Sequence, residues 1–297
     1  MLTGCLIPIV TPMTPDGALD LATLKKLIDW YVDQGVAGIV IVGTTGESPT
    51  VDFDEHRELI RVAVEHVNKR IHVMAGTGGN STQEAIELTE YARKVGADSC
   101  LSVVPYYNKP SQEGLYRHFR AIAEKVDLPL VLYNVPGRTV ADLANETVLR
   151  LADVPGIIGL KDATGDIARA TEMIKALHLC GKNDFVLYSG DDITSLAYLL
   201  LGGHGVISVT ACVAPAKIVA MCAAAVAGDI KTARAINDTL LPLHRRLFVE
   251  GNPVPVKWAM AQMGLIASGI RLPLAPLSEK FHQPLREALI EAGCLKN

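Results

Sequence analysis

The chain has 297 residues, 49% hydrophobic and 20% charged, enough for one large barrel or two smaller domains around a substantial core. A formal net charge of −4 excludes an electrostatic nucleic-acid surface, and the longest basic cluster, Arg245-Arg246, reads as a solvated helix face. No apolar run approaches transmembrane length, so no membrane partner is expected. The N-terminus lacks a basic region and carries Pro8, which argues against a signal peptide. Cysteines at 5, 100, 180, 212, 222 and 294 form no Cys-x-x-Cys and sit mostly in apolar stretches. That fits buried thiols in a reducing compartment, and a cytoplasmic enzyme is the expectation.

Cys5–Val10 reads as a first strand. Leu21–Gln34 has helical apolar spacing and ends at Gly35. Gly38–Val42 is an apolar strand, followed by the loop 43–48 and a helix from Asp52 or Asp54 to about Val67. The alternation continues with a strand over Ile71–Gly76. Ser81-x-x-Glu84 has the pattern of a capping box and opens a helix to Val95. Strands follow at Asp98–Val104, Leu130–Asn134, Ile157–Lys161, Phe185–Ser189 and Gly205–Val209. Between and after them come helices ending at Lys125 and spanning Ala144–Leu151, Ile167–Leu179, Asp192–Leu201 and Pro215–Val226.

Short, unalternated apolar strands are what parallel strands buried on both sides look like. Eight strand–helix units of about 25–30 residues suit a closed (β/α)8 TIM barrel over 1–227. A doubly wound sheet is the alternative, but Gly76-Thr77-Gly78-Gly79-Asn80-Ser81 misses the third glycine of a dinucleotide loop, and there is no Walker-type loop. Residues 228–297 turn all-helical, with amphipathic segments at Ile230–Glu250, Pro255–Met263 and Ser278–Ala292. Nothing in this C-terminal helical region reads as catalytic. Lys257 is expected to reach water or cap a carbonyl.

Barrel sites form at the C-terminal ends of the strands. Those ends carry Thr44 and Thr45, Tyr106 and Tyr107, Tyr133 with Arg138 beyond it, Lys161, Gly190 and Asp191, and Ile207 and Ser208. A lysine ending an apolar strand is costly unless paired or deprotonated, and a free amine can form a Schiff base with a carbonyl. The alternative is a lysine that reaches solvent or pairs with Asp162. Tyr133, one unit earlier, can pass protons to an amine, or it can be a core tyrosine with a satisfied hydroxyl. Thr44 and Thr45 lie in a glycine-bracketed turn suited to a small anion, or in an ordinary turn. Arg138 is able to grip a carboxylate bidentately or to pair with Asp142. Together they point to carbonyl chemistry on an acidic substrate. No His-Glu-x-x-His or Gly-x-Ser-x-Gly occurs, and no metal or organic cofactor is expected.

At these residues the chain resembles the pyruvate-dependent class I aldolases and synthases, the family that includes N-acetylneuraminate lyase. Gly43-Thr44-Thr45-Gly46-Glu47 is similar to its first signature. Tyr133-Asn134-Val135-Pro136-Gly137-Arg138-Thr139 and Gly159-Leu160-Lys161-Asp162-Ala163-Thr164-Gly165 resemble the second. The likeness extends through Ser189-Gly190-Asp191-Asp192 and 202–210 to the tail segment 252–259. It implies a pyruvate Schiff base on Lys161 whose enamine attacks aspartate 4-semialdehyde, in lysine biosynthesis. It implies a proton relay of Tyr133, Thr44 and Tyr107, with Tyr107 reaching in from a neighbouring subunit of a homotetramer built as a dimer of dimers. Thr45 would hold the pyruvate carboxylate, Arg138 the semialdehyde carboxylate, and the carbonyls of Gly190 and Ile207 would line the pocket.

Many members are inhibited by L-lysine at a dimer-interface site. Ser48, Pro49, His56, Asn80, Glu84 and Tyr106 occupy matching positions, while Phe53 replaces a histidine found there in enterobacterial members. Cys212 replaces a common asparagine. A pyruvate-dependent aldolase or lyase on a sugar-derived 2-keto acid, and a catalytically silent ligand-binding paralogue, are the competing readings.

Overall fold

A computed structural model describes residues 2–296. Met1 and Asn297, the outer limits of the two expected regions, lie outside them. Strands β1 (Gly4–Pro8), β2 (Gly38–Ile41), β3 (His72–Gly76), β4 (Ser99–Val103), β5 (Leu130–Asn134), β6 (Ile157–Asp162), β7 (Val186–Ser189) and β8 (Gly205–Ile207) pair in chain order. All are parallel, and β8 closes on β1. This is the expected (β/α)8 barrel.

The helices around it are α1 (Leu21–Asp33), α2 (Phe53–Val67), α3 (Thr82–Val95), α4 (Gln112–Lys125), α5 (Pro136–Thr139), α6 (Asn145–Leu151), α7 (Ile167–Leu179), α8 (Ser195–Leu200) and α9 (Pro215–Val226). The tail adds α10 (Ile230–Arg246), α11 (Val254–Gln262) and α12 (His282–Glu291), with α10 packed on α9 and α12. Among the described residues no helix is long and apolar enough to cross a membrane.

The unalternated strands are explained by two apolar layers. Leu6, Val40, Met74, Leu101, Val131, Val186 and Ile207 fill the barrel interior. A larger cluster, including Ile7, Ile39, Ile41, Leu132 and Leu160, packs the outer face of the strands under the helices. Side chains alternate faces along a strand, so both sets are apolar and no polar face remains.

Several local expectations shift. The complete capping box is at α2, where Asp52 Oδ1 accepts from the Glu55 N–H at 2.8 Å and Glu55 Oε2 accepts from the Asp52 N–H at 3.2 Å. At α3 only half of it forms: Ser81 Oγ accepts from the Glu84 N–H at 3.4 Å, and among the described residues the Glu84 carboxylate does not turn back. Helix α8 starts at Ser195 and not at Asp192, because Asp192 ties the end of β7 to the residues after β8. Its carboxylate accepts from Thr210 N at 2.9 Å and Thr210 Oγ1 at 3.1 Å. For the same reason β8 stops at Ile207, and Thr210–Cys212 forms a 3-10 turn. Helix α10 ends at Arg246, and α12 is preceded by a separate 3-10 turn over Glu279–Phe281. The one-turn helix α5 was not anticipated.

Candidate active site

Lys161 sits in β6 with Tyr133 of β5 and Tyr188 of β7 as its register neighbours. Its side chain turns into the barrel, whereas Asp162, on the opposite face of the strand, accepts hydrogen bonds from Thr164 N at 3.1 Å and Thr164 Oγ1 at 2.9 Å. Burial raises the Asp162 carboxyl above its ordinary range. The alternatives of a solvated lysine or a Lys161–Asp162 pair therefore fail. Lys161 is only 7% exposed, and among the described residues its amine has no carboxylate partner and no hydrogen bond. Its Nζ lies 4.2 Å from the centroid of the Tyr133 ring. Tyr133 is buried too, and its hydroxyl has no partner among the described residues, so it is not a satisfied core tyrosine.

The amine's path is cleared by Gly190. A Cβ there would stand 2.8 Å from Lys161 Cε and 2.9 Å from Ala163 Cβ, closer than real side chains pack. The amine opens into a cavity of about 190 Å³, lined among others by Thr44, Thr45, Tyr133, Arg138, Lys161, Gly190 and Asp191. Six of the eight residues expected to carry catalysis or substrate binding meet here. Ile207 does not reach the lining and is buried with the interior cluster just below. Tyr107 is absent as well. It is 89% exposed, on the loop after β4, with φ at +74°. Such a conformation is costly for an aromatic residue and is retained where surroundings or function require it.

The anion turn is built with strain. Val42 leaves β2 at φ +53°, an outlier for a β-branched residue. Gly76 of β3 permits this, since a Cβ there would meet the Val42 carbonyl oxygen at 2.4 Å. Thr44–Gly46 then forms a 3-10 turn that buries Thr45. Arg138 is exposed at the mouth, on α5. It does not pair with Asp142. That carboxylate belongs to Arg169, whose Nη1 donates to it at 2.9 and 2.7 Å, and to Asn134, whose Nδ2 donates at 2.8 Å. Burial pushes the Asp142 carboxyl up, but Arg169 and Asn134 outweigh it and hold it below its usual range. The Arg138 guanidinium has no carboxylate partner among the described residues and faces the cavity.

The tail contributes to this site, against expectation. Phe248 and Asn252 line the cavity. Asn252 Nδ2 donates to Thr45 Oγ1 at 2.9 Å. Of the two expectations for Lys257, it caps a carbonyl and does not reach water. It is 4% exposed, pairs with the buried Glu47 carboxylate, and donates to the Thr11 carbonyl at 3.1 Å. The signal available in the sequence was an asparagine and a lysine set within an apolar tail.

A second cavity of about 380 Å³ shares Thr44, Val135 and Arg138 with the first. Its lining includes Ser48, Pro49, Phe53, His56, Glu84 and Tyr106. His56 Nε2 bonds the Gly76 carbonyl at 2.8 Å, and burial lowers the imidazole pKa. Burial, then the Glu84 carboxylate, raises the Tyr106 phenol. Asn80 is not in the lining; its carbonyl accepts from Asn108 Nδ2 at 2.8 Å. A larger depression of about 700 Å³, lined by charged residues such as Arg57, Glu90 and Lys94, is open to solvent and shares no lining residue with either cavity. Among the described residues no three His, Cys, Asp or Glu side chains converge as metal ligands.

A (β/α)8 barrel with an unpaired amine at the C-terminal end of β6, hydroxyls around it and an arginine at the mouth defines a carbonyl-handling barrel enzyme of the lyase class. The chain belongs to the dihydrodipicolinate synthetase family, whose model matches residues 1–292. It is 63% identical over 293 residues to a 4-hydroxy-tetrahydrodipicolinate synthase of Nitrosospira multiformis, covering 98% of this chain and 96% of that one. The chloride-inhibited dihydrodipicolinate synthase of Acinetobacter baumannii, solved in complex with pyruvate, superposes with a TM-score of 0.97 at 52% identity, covering 99% of this chain and 100% of that one. The enzyme of Cyanidioschyzon merolae, solved with lysine bound, gives 0.95 at 40% identity, with 99% of each chain covered.

Proposed function

We propose that the chain condenses pyruvate with L-aspartate 4-semialdehyde to give 4-hydroxy-tetrahydrodipicolinate, a step of lysine biosynthesis. The observation that carries this is the buried, unbonded Lys161 amine against Tyr133, in a cavity shared with Thr45 and Arg138. The amine adds to the pyruvate C2 carbonyl, and loss of the former carbonyl oxygen as water leaves an imine. Loss of a C3 proton gives an enamine, which forms the C–C bond to the aldehyde carbon. The semialdehyde's own amine then attacks C2, closing the ring and releasing Lys161. The protons of these steps pass through Tyr133 and Thr44, with Tyr107 supplied by a neighbouring subunit; its exposure and strained backbone support that placement. Thr45 donates to the pyruvate carboxylate, Arg138 receives the semialdehyde carboxylate, and the Gly190 carbonyl bounds the pocket, with Ile207 buried just below it.

In this reading the barrel (1–227) and the helical region (228–297) are one working unit in a cytoplasmic homotetramer, a dimer of dimers. L-lysine occupies the second cavity at the dimer interface, near Ser48, Pro49, His56, Glu84 and Tyr106, with Asn80 joining from its rim. The test is a pair of coupled assays run side by side, with aspartate semialdehyde and with sugar-derived acceptor aldehydes. Turnover with the semialdehyde is expected. Turnover only with sugar acceptors would reassign the enzyme to the sugar-acid lyases, and turnover with neither would indicate a silent paralogue.

A further inference from the structure

The turn that carries Thr45 is held from behind by distant parts of the chain. Thr11 Oγ1 donates to the Gly46 carbonyl at 2.6 Å. Lys257 grips Glu47, the residue that ends the turn in the left-handed region at φ +58°. These bonds fix the backbone and leave the Thr45 hydroxyl free to rotate. One contact addresses that hydroxyl: Asn252 Nδ2 donates to Thr45 Oγ1 at 2.9 Å, and both side chains are buried.

The direction of this bond has a chemical consequence. A threonine hydroxyl carries one proton and two acceptor lone pairs. With a lone pair engaged by the Asn252 N–H, its proton cannot point back at Asn252. No other partner for Thr45 Oγ1 occurs among the described residues, so the proton is left for the cavity. Asn252 Oδ1 is buried and has no hydrogen-bond partner among the described residues.

We propose that Asn252 is a positioning residue that holds the Thr45 hydroxyl as a donor toward the carboxylate of the bound 2-keto acid. Asn252 acts through Thr45 and supplies no proton to the reaction. The inference rests on the proposed pyruvate chemistry at Lys161, so the readout is chosen to separate the two.

The experiment is borohydride trapping on the full-length protein, followed by intact-mass measurement across a pyruvate titration, with no acceptor present. Pyruvate trapping by the unaltered protein tests the Schiff base itself. Asn252→Ala is expected to raise the half-saturating pyruvate concentration about tenfold while the adduct at saturation stays complete. Asn252→Asp offers only acceptors and a negative charge, draws the Thr45 proton away, and is expected to raise it further, about a hundredfold. In a Thr45→Val background, Asn252→Ala is expected to add less than about twofold, since the group it acts through is gone. Equal effects of Asn252→Ala in both backgrounds would overturn the proposal. So would Asn252→Asp with unaltered pyruvate dependence, because the amide would then be accepting from Thr45. If the unaltered protein traps no pyruvate, it is the underlying reading that fails. Melting temperature, followed alongside, separates a folding defect from a shift in half-saturation.

Discussion

Lys257→Met exchanges an ammonium for a methyl group of similar reach and leaves the Glu47 carboxylate buried without its cation. Both side chains are enclosed, at 4% and 0% exposure, so water cannot take over the lost contact. Burial pulls the Lys257 ammonium pKa down and Glu47 pushes it back up, the balance of a pair held together by its own charges. Removing one partner of such a pair costs about 3–5 kcal/mol, most of it the stranded charge. With an unfolding entropy near 2.1 cal/mol/K per residue, each kcal/mol lowers the melting point of a chain this long by about 1.6 °C. The expected loss is about 5–8 °C, read by circular dichroism at pH 7. Adding Glu47→Gln to the variant removes the stranded charge and is expected to restore at least half of that loss. A single variant that melts within about 1 °C of the unaltered protein would refute the reasoning, as would a double variant less stable than the single one.

Arg138→Ala is expected to raise the KM for aspartate semialdehyde by about a hundredfold and to leave pyruvate trapping unchanged, because a bidentate carboxylate grip is lost on one substrate only; equal damage to both substrates would contradict this. Burial pushes the His118 imidazole down to about 4, so the unfolded chain binds its proton first as pH falls. His118 therefore contributes stability that is present above the unfolded pKa near 6.5 and is lost between there and about pH 4, with a slope of at most about 1.4 kcal/mol per unit. Denaturant titrations of His118→Gln should show a shallower acid loss over that window, and an unchanged slope would remove the claim. Glu84→Gln is expected to weaken L-lysine binding at the second cavity at least about tenfold by calorimetry, through loss of a charged partner for an ammonium group. No heat with the unaltered protein would dismiss lysine as its ligand.

The barrel was legible because its signals are local and repeated. A doubly buried parallel strand is an apolar run, and β5, α7 and α9 have the bounds read from the sequence. Closure then collects the strand ends at one face, which is why Thr44, Thr45, Tyr133, Arg138, Lys161 and Gly190 come together. The contacts missed are those with no local trace. Asn252 and Thr45 are 207 positions apart, and Lys257 and Glu47 are 210 apart. Their pairing depends on how the tail folds back, which strand periodicity does not encode. Capping was ambiguous for another reason. Asp52-x-x-Glu55 and Ser81-x-x-Glu84 share one pattern, and only at α2 does the glutamate turn back; Glu84 faces the second cavity instead. The Asp142 alternative for Arg138 fails because that carboxylate is near Arg138 in sequence but bound to Arg169 in space.

The most direct measurement is borohydride reduction in the presence of pyruvate, with peptide mapping of the adduct. One pyruvate-derived mass per chain on Lys161 is expected, and Lys161→Met should abolish it without unfolding the barrel. An adduct on Lys257 or any other lysine, or no adduct at saturating pyruvate, would contradict the assignment of Lys161 as the amine that forms the Schiff base.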